Sequence, residues 1–221
     1  TLAGNGLAAD DAALAAVAEA LRTTDSVAKM ATARVELPAP DGTPVAVTVS
    51  GVAKGVGMIH PRMATMLAVV LTDAAVSPGT LHGLLRGATV RTWNQLSVDG
   101  DTSTNDTVFL LASGASAAAA VGPDTPAAET LGAAIEAVAR ELARQQAADG
   151  EGATTLVTCQ VSGARDDVDA RAVARAVVGV PGHRHDLRRP HPDARSQTAD
   201  PGRGRERRAG RRGSATRLGA R

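Results

Sequence analysis

Residues 30–52 read MATARVELPAPDGTPVAVTVSGV, and their periodicity decides the fold class. From Met30 to Leu37, and again from Val45 to Val52, apolar and polar residues alternate, the period of a strand with one buried face. Between the two runs, Pro40-Asp41-Gly42-Thr43 supplies turn chemistry, so the stretch predicts a β-hairpin. Downstream, Thr65 to Asp73 (TMLAVVLTD) is a continuous apolar run and predicts a fully buried strand. Leu96 to Val98 and Thr107 to Ala112 predict two more strands joined by the polar turn DGDTSTND, and Thr155 to Val161 predicts another. Helices are predicted between them. Ala9 to Thr23 spaces Leu14, Val17 and Leu21 helically behind an Asp10 or Asp11 cap. Ser77-Pro78 opens a second helix. Thr125-Pro126 opens the longest, with Leu131, Ile135, Val138 and Leu142 on one face and Gly150 and Gly152 flanking its exit. Ala115 to Val121 reads as a low-complexity connection, and Asp167 to Val178 as a final amphipathic helix. The expectation is an α/β (α+β) domain with antiparallel strand pairs and no internal repeat.

Composition narrows the function classes. Hydrophobic residues make up 43% of the 221, while aromatics are 1%, with one Trp, one Phe and no Tyr. A core of Ala, Val and Leu is affordable, but base-stacking surfaces and aromatic cages are not. The single cysteine, Cys159, excludes an internal disulfide and a multi-cysteine zinc site. No apolar run approaches the ~20 residues of a membrane span, and no leader pattern opens the chain. A cytoplasmic protein without a membrane partner is expected. The first residue is Thr1, which reads as a fragment or a processed chain.

The formal net charge of +1 conceals a split. Residues 1–180 carry 12 Lys+Arg against 19 Asp+Glu, whereas residues 181–221 carry 12 Arg against 4 acids. The second stretch has two large aliphatics, Leu187 and Leu218, and predicts a disordered tail because it cannot offset its folding entropy. A solvated tail, a nucleic-acid arm and out-of-frame reading of a GC-rich gene all give such a composition. The abrupt change after Val178 favours the last, and nucleic acid is not an expected partner. The domain is accordingly drawn over residues 1–180, with the Arg-rich tail over 181–221.

Chemistry is concentrated in Lys54 to Leu67, KGVGMIHPRMATML. The Walker spacing is absent, and His60 has no partner His at helical spacing, so neither a phosphate loop nor a metal site is expected. Thr65, directly before a buried strand, stands where an N-terminal nucleophile would sit. Cleavage of Ala64–Thr65 would free an α-amine with a pKa near ~8, able to take the proton of its own hydroxyl. A Thr opening a strand also has an ordinary structural reading. Asp99, Asp101, Asn105 and Asp106 share one turn, where side-chain bonds to the turn's own backbone are favoured over a cation.

Four ordered blocks carry a resemblance: TTDSVAK (23–29), GVAKGVGMIHPRMATML (51–67), TWNQLSVDGDTSTNDTV (92–108) and DGEGATTL (149–156). Together they resemble the ornithine acetyltransferase (glutamate N-acetyltransferase) family of arginine biosynthesis, over about residues 9 to 178. The resemblance implies a layered α/β/β/α fold similar to that of N-terminal-nucleophile enzymes. It implies self-cleavage between Ala64 and Thr65, fragments that stay together and assemble as two α and two β pieces, and acetyl transfer through Thr65. The substrates implied are N-acetylornithine, ornithine, glutamate and N-acetylglutamate, with acetyl-CoA as a co-substrate in some members and no metal or other cofactor. Thr65 matches the nucleophile, Thr23 a substrate-contacting Thr, Lys54 the Lys of the AKG motif facing a substrate carboxylate, and Glu151 the acid that holds the substrate amine. The departures are specific. The family's oxyanion-hole Thr-Gly lies in an upstream segment this chain lacks, and its Asn-Trp-Gly-Arg region gives way to the Arg-rich tail. SVAK follows Thr23-Thr24-Asp25 in place of the usual Pro-Lys, His60 and Arg62 vary the cleavage approach, and Thr155 replaces a common Lys. The missing donors bear on whether this chain is itself active. A self-processing amidase or aminopeptidase and an inactive remnant are the competing readings.

Overall fold

The computed structural model describes residues 10–57, 66–98 and 105–178, and the backbone of residues 216 and 217. The described residues up to Leu156 form one compact unit, and those from Val157 form a second.

The first unit is a mixed four-stranded sheet with helices, an α+β arrangement. Strands β1 (Lys29–Pro38) and β2 (Pro44–Lys54) form the expected hairpin, paired from Lys29↔Ala53 to Pro38↔Pro44. Its turn is held by Asp41, whose carboxylate accepts from the backbone N–H and the hydroxyl of Thr43 at 2.9 and 2.7 Å, the local bond for which Asx residues are favoured in turns. Strand β3 (Leu67–Thr72) joins β2 antiparallel, and β4 (Thr107–Ala112) joins β3 in parallel, giving the order β1-β2-β3-β4. Here the structure departs from the antiparallel expectation. No strand forms at 96–98, which follows a short 3-10 turn at Trp93–Gln95. The partner of β4 is β3, and a parallel pair needs a crossover, part of which is helix α2 (Pro78–Arg91).

The helices begin where capping chemistry allows. In α1 (Asp11–Leu21), Asp10 is the cap and accepts from Ala13 N–H at 2.8 Å. Ser77 caps α2 through Thr80 N–H, and Thr125 caps α3 (Pro126–Ala148) through Ala128 N–H, each followed by Pro at the first helical position. Leu131, Ile135, Val138 and Leu142 of α3 are buried against Val47, Val49 and Ala53 of β2 and Ala68 and Val70 of β3. The Ala-rich connection is tied down as well: Ala119 N–H donates to Pro38 O and Val121 N–H to Ala75 O, both at 2.8 Å.

The sheet's two faces differ. The register lines up Met30, Val52, Val69 and Phe109 in one row, and Leu71 beside Leu111 on the same face. That face is opposite the one packed on α3, and there Met30, Leu71, Phe109 and Leu111 are 42–55% exposed. In an α/β/β/α layering this is the face a second sheet would cover; the described residues of the unit carry one sheet.

In the second unit, β5 (Gln160–Val161) pairs antiparallel with β6 (Thr216–Arg217), and α4 (Asp167–Val178) buries Ala170 and Ala174. The predicted strand over 155–161 is thus confined to its last two residues. Within the Arg-rich stretch only Thr216 and Arg217 are described. No helix of the described residues is long and apolar enough to cross a membrane.

Close packing of α3 on the sheet depends on Gly51. A Cβ there would lie 2.9 Å from Leu142 Cδ1, 3.1 Å from Val138 Cγ1 and 3.3 Å from Val69 O. Gly51→Ala is expected to cost about 1–3 kcal/mol through overpacking, seen as a lower urea midpoint at an unchanged m-value.

Candidate functional site

Strand polarity brings one end of the sheet into focus. β1 begins there with Lys29, β2 ends there with Lys54, β3 begins with Leu67 opposite Lys54, and β4 begins with Thr107 opposite Leu67. The chain entering β1 and the chain leaving α3 reach the same end through the bonds described next. All four sequence blocks therefore contribute to it.

At its centre is the Lys29 ammonium, whose side chain is wholly buried. It donates to Asp25 Oδ1 at 2.7 Å and Asp149 Oδ2 at 2.6 Å, and to Val27 O at 3.3 Å. The side chains of Asp25 and Asp149 are 1% and 9% exposed. Asp25 also accepts from Gly55 N–H at 2.8 Å and Thr23 N–H at 3.3 Å. Asp149 accepts from Ser26 N–H at 2.9 Å and Val27 N–H at 3.4 Å. Gly55 has φ +128, a backbone conformation that L side chains rarely adopt, and its N–H is thereby turned onto Asp25.

Burial alone would push the Asp25 carboxyl up. The Lys29 ammonium and the N–H groups of Gly55 and Thr23 outweigh it and hold the carboxyl below its ordinary value. Asp149 shows the same balance, burial opposed by Lys29 and by Ser26, with the net shift downward.

The expected substrate residues surround this cluster. Lys54 Nζ lies 3.4 Å from Thr23 Oγ1, and both side chains have access to solvent. Glu151 is exposed, and its N–H donates to Val56 O at 2.6 Å. The carbonyl of Lys54 accepts from Gln146 Nε2 at 2.9 Å, and Gln146 Oε1 accepts from Trp93 Nε1 at 2.8 Å, with Gln146 and Trp93 both buried. Ala64, Thr65 and His60 lie outside the described residues, as do Asp99 and Asp101. The residue after Thr65 is described: Met66 N–H donates to Asp106 Oδ1 at 2.7 Å, and Met66 O accepts from Thr107 N–H at 3.0 Å. Asp106 thus bonds the residue before β3, a partner outside the turn that the sequence reading does not anticipate. A parallel neighbour brings that foreign N–H within reach. Among the described residues no group of three His, Cys, Asp or Glu could hold a metal.

The sequence reading names none of Asp25, Lys29, Gln146 and Asp149 as site residues, and it weighs Asp106 only as a turn residue or cation ligand. Two signals for them exist. Lys29 stands at an inward position of an alternating strand, and Gln146 continues the apolar stripe of α3.

A model of the ArgJ family matches residues 3–184. The chain belongs to the ArgJ family. It is 52% identical over 162 residues to the arginine biosynthesis bifunctional protein ArgJ of Synechocystis sp., covering 73% of this chain and 38% of that protein. It is 48% identical over 160 residues to the Geobacillus stearothermophilus protein of the same name, covering 72% and 38%. The crystal structure of arginine biosynthesis bifunctional protein argJ from Bacillus halodurans superposes with a TM-score of 0.50 at 43% identity, covering 52% of this chain and 54% of that one. The chain thus spans about two fifths of the length of the curated ArgJ relatives named here.

The lowered carboxyls set a pH dependence. Asp25 and Asp149 ionise more readily folded than unfolded. Their stabilisation is complete above the unfolded carboxyl pKa of about 3.9 and is lost as pH falls below it through the lowered folded values. Thermal melts should show a midpoint that drops below about pH 4, and Asp149→Asn should make that drop shallower.

Proposed function

We propose that this ArgJ-family chain is the nucleophile-bearing portion of an acetyltransferase of arginine biosynthesis, which moves acetyl from N-acetylornithine to glutamate through Thr65. The observation that carries the reading is the gathering of Lys54, Thr23 and the backbone of Glu151 around one buried ion cluster, at the sheet end where Met66, the residue after Thr65, leads into β3.

The chemistry follows from a free N-terminal threonine. The Thr65 hydroxyl attacks the Ala64 carbonyl, the acyl group shifts from N to O, and water hydrolyses the ester, leaving Thr65 with a free amine. That amine takes the hydroxyl proton as Thr65 Oγ attacks the acetyl carbonyl of N-acetylornithine. The C–N bond breaks, the proton passes to the leaving amine, and ornithine departs. The amine of glutamate then attacks the acetyl ester, releasing N-acetylglutamate and restoring the hydroxyl. Lys54 is suited to a substrate carboxylate by its charge, Glu151 to a substrate amine, and Thr23 contacts the substrate beside Lys54. Acetyl-CoA is an alternative donor to the same hydroxyl.

Intact-mass spectra of the parent chain and Thr65→Ala test the first step. The parent is expected to split between Ala64 and Thr65 while the variant stays whole; one uncut mass in both would remove self-processing. Once cleavage is seen, transfer from N-acetylornithine to glutamate should fall by at least ~10³-fold in Thr65→Ala. Lys54→Met should lower kcat/KM by roughly 10–100-fold, the loss of one charge-assisted hydrogen bond.

A further inference from the structure

We infer that Asp25, Lys29 and Asp149 are positioning residues, which set the spacing of Thr23, Lys54 and Glu151 without touching substrate; this rests on the acetyl-transfer reading above. Three segments distant in sequence meet around one ammonium and its two carboxylates. Asp25 lies between two of them. Its carboxylate accepts from the N–H of Thr23 and from the N–H of Gly55, the residue after Lys54. One rigid carboxylate therefore controls the positions of two candidate substrate residues, and the Lys54 ammonium lies 3.4 Å from the Thr23 hydroxyl. Asp149 does the same for the third segment. It grips Ser26 and Val27, and two residues later Glu151 bonds back to Val56 through its own N–H. Lys29 holds the two carboxylates together from the first position of β1.

The cluster does more than add stability. Placing an ammonium and two carboxylates out of water carries a desolvation cost that a well-packed apolar trio would avoid. An apolar trio could not accept the N–H groups of Thr23, Gly55, Ser26 and Val27, and each would then be left without that partner. The cluster therefore does what packing cannot, which is to fix loop backbones to each other at hydrogen-bond distance. None of the three reaches solvent freely, so they act through the residues they hold.

The chain has two lysines, Lys29 and Lys54, and one tryptophan, Trp93, which makes the test clean. In ¹³C-lysine, ¹⁵N-labelled chain, the cross-relaxation contact between the Thr23 methyl and the Lys54 ε-methylene reports the spacing. The Trp93 indole N–H signal, bonded to Gln146, reports the fold. In Asp25→Asn the Thr23–Lys54 contact is expected to disappear while the indole signal stays in place. KM for N-acetylornithine should rise at least tenfold, with kcat changed less. Lys29→Arg should keep the contact and most of the affinity. Should Asp25→Asn lose the indole signal, Asp149→Asn decides instead, since it leaves the Asp25–Lys29 pair; the Glu151 amide signal and KM should both move. Unchanged contacts in folded variants, or an unchanged KM where the contacts are lost, would overturn the assignment. A wild-type chain that transfers no acetyl removes the acetyl-transfer reading, and the spacing contacts then decide the positioning role alone.

Discussion

The structure depends most on the placement of one ammonium out of water. Lys29 opens β1 on the inward side, where alternation demands an apolar residue, and the rest of that face supplies Ala31, Ala33, Val35 and Leu37. A cation there is tolerable only with its partners in place. That requirement fixes more than a local contact. It specifies where the chain preceding β1 must turn, because Asp25 has to come back within reach. It also specifies the exit of α3, because Asp149, the residue on which the helix ends, must meet Lys29 across 120 positions of sequence. The apolar stripe of α3 could slide by a turn with little loss of burial; the ion pair cannot.

Strand direction then determines which residues share that end. In a parallel pair both strands start at the same end, so Leu67 and Thr107 begin β3 and β4 side by side, and Asp106 can accept the N–H of Met66, the residue before Leu67. Had β4 paired with residues 96–98 as a hairpin, its start would have been fixed by a short turn and not by β3. The antiparallel partner β2 finishes where β3 starts, which delivers Lys54. Topology and the buried ion pair thus act on the same edge, one bringing strands and the other bringing loops.

Much of this was legible in the sequence, for reasons that are local. Alternation in 30–52, Pro at the first turn of two helices, and the four-residue apolar face of α3 are short-range patterns, and the structure carries each of them. The candidate site residues come from the resemblance; of these, Thr23, Lys54 and Glu151 lie at one end of the sheet, while Ala64 and Thr65 lie outside the described residues. The parallel pairing was not legible, because the apolar run of β3 and the six residues of β4 look alike whichever neighbour they choose. Asp25 and Asp149 were hidden for a different reason. A carboxylate in a polar loop reads as solvated, and only the fold shows that one buried lysine consumes both.

Gln146 shows why core and site cannot be separated in this protein. It follows Leu131, Ile135, Val138 and Leu142 along one stripe of α3, a position where leucine would pack without comment. Its amide is instead bonded at both ends, accepting from the Trp93 indole and donating to the Lys54 carbonyl. A leucine there would leave a buried indole N–H and the last carbonyl of β2 without these bonds, at a cost of about 1–3 kcal/mol each. The side chain that completes the core is therefore the one that holds the carbonyl of the Lys54–Gly55 peptide, while Asp25 holds the N–H of the same peptide. Two buried polar residues on the two ends of one peptide leave that backbone little freedom to move, whatever the half-buried Lys54 side chain does. The rigidity needed at the site is built from the same hydrogen bonds that the core requires to be satisfied.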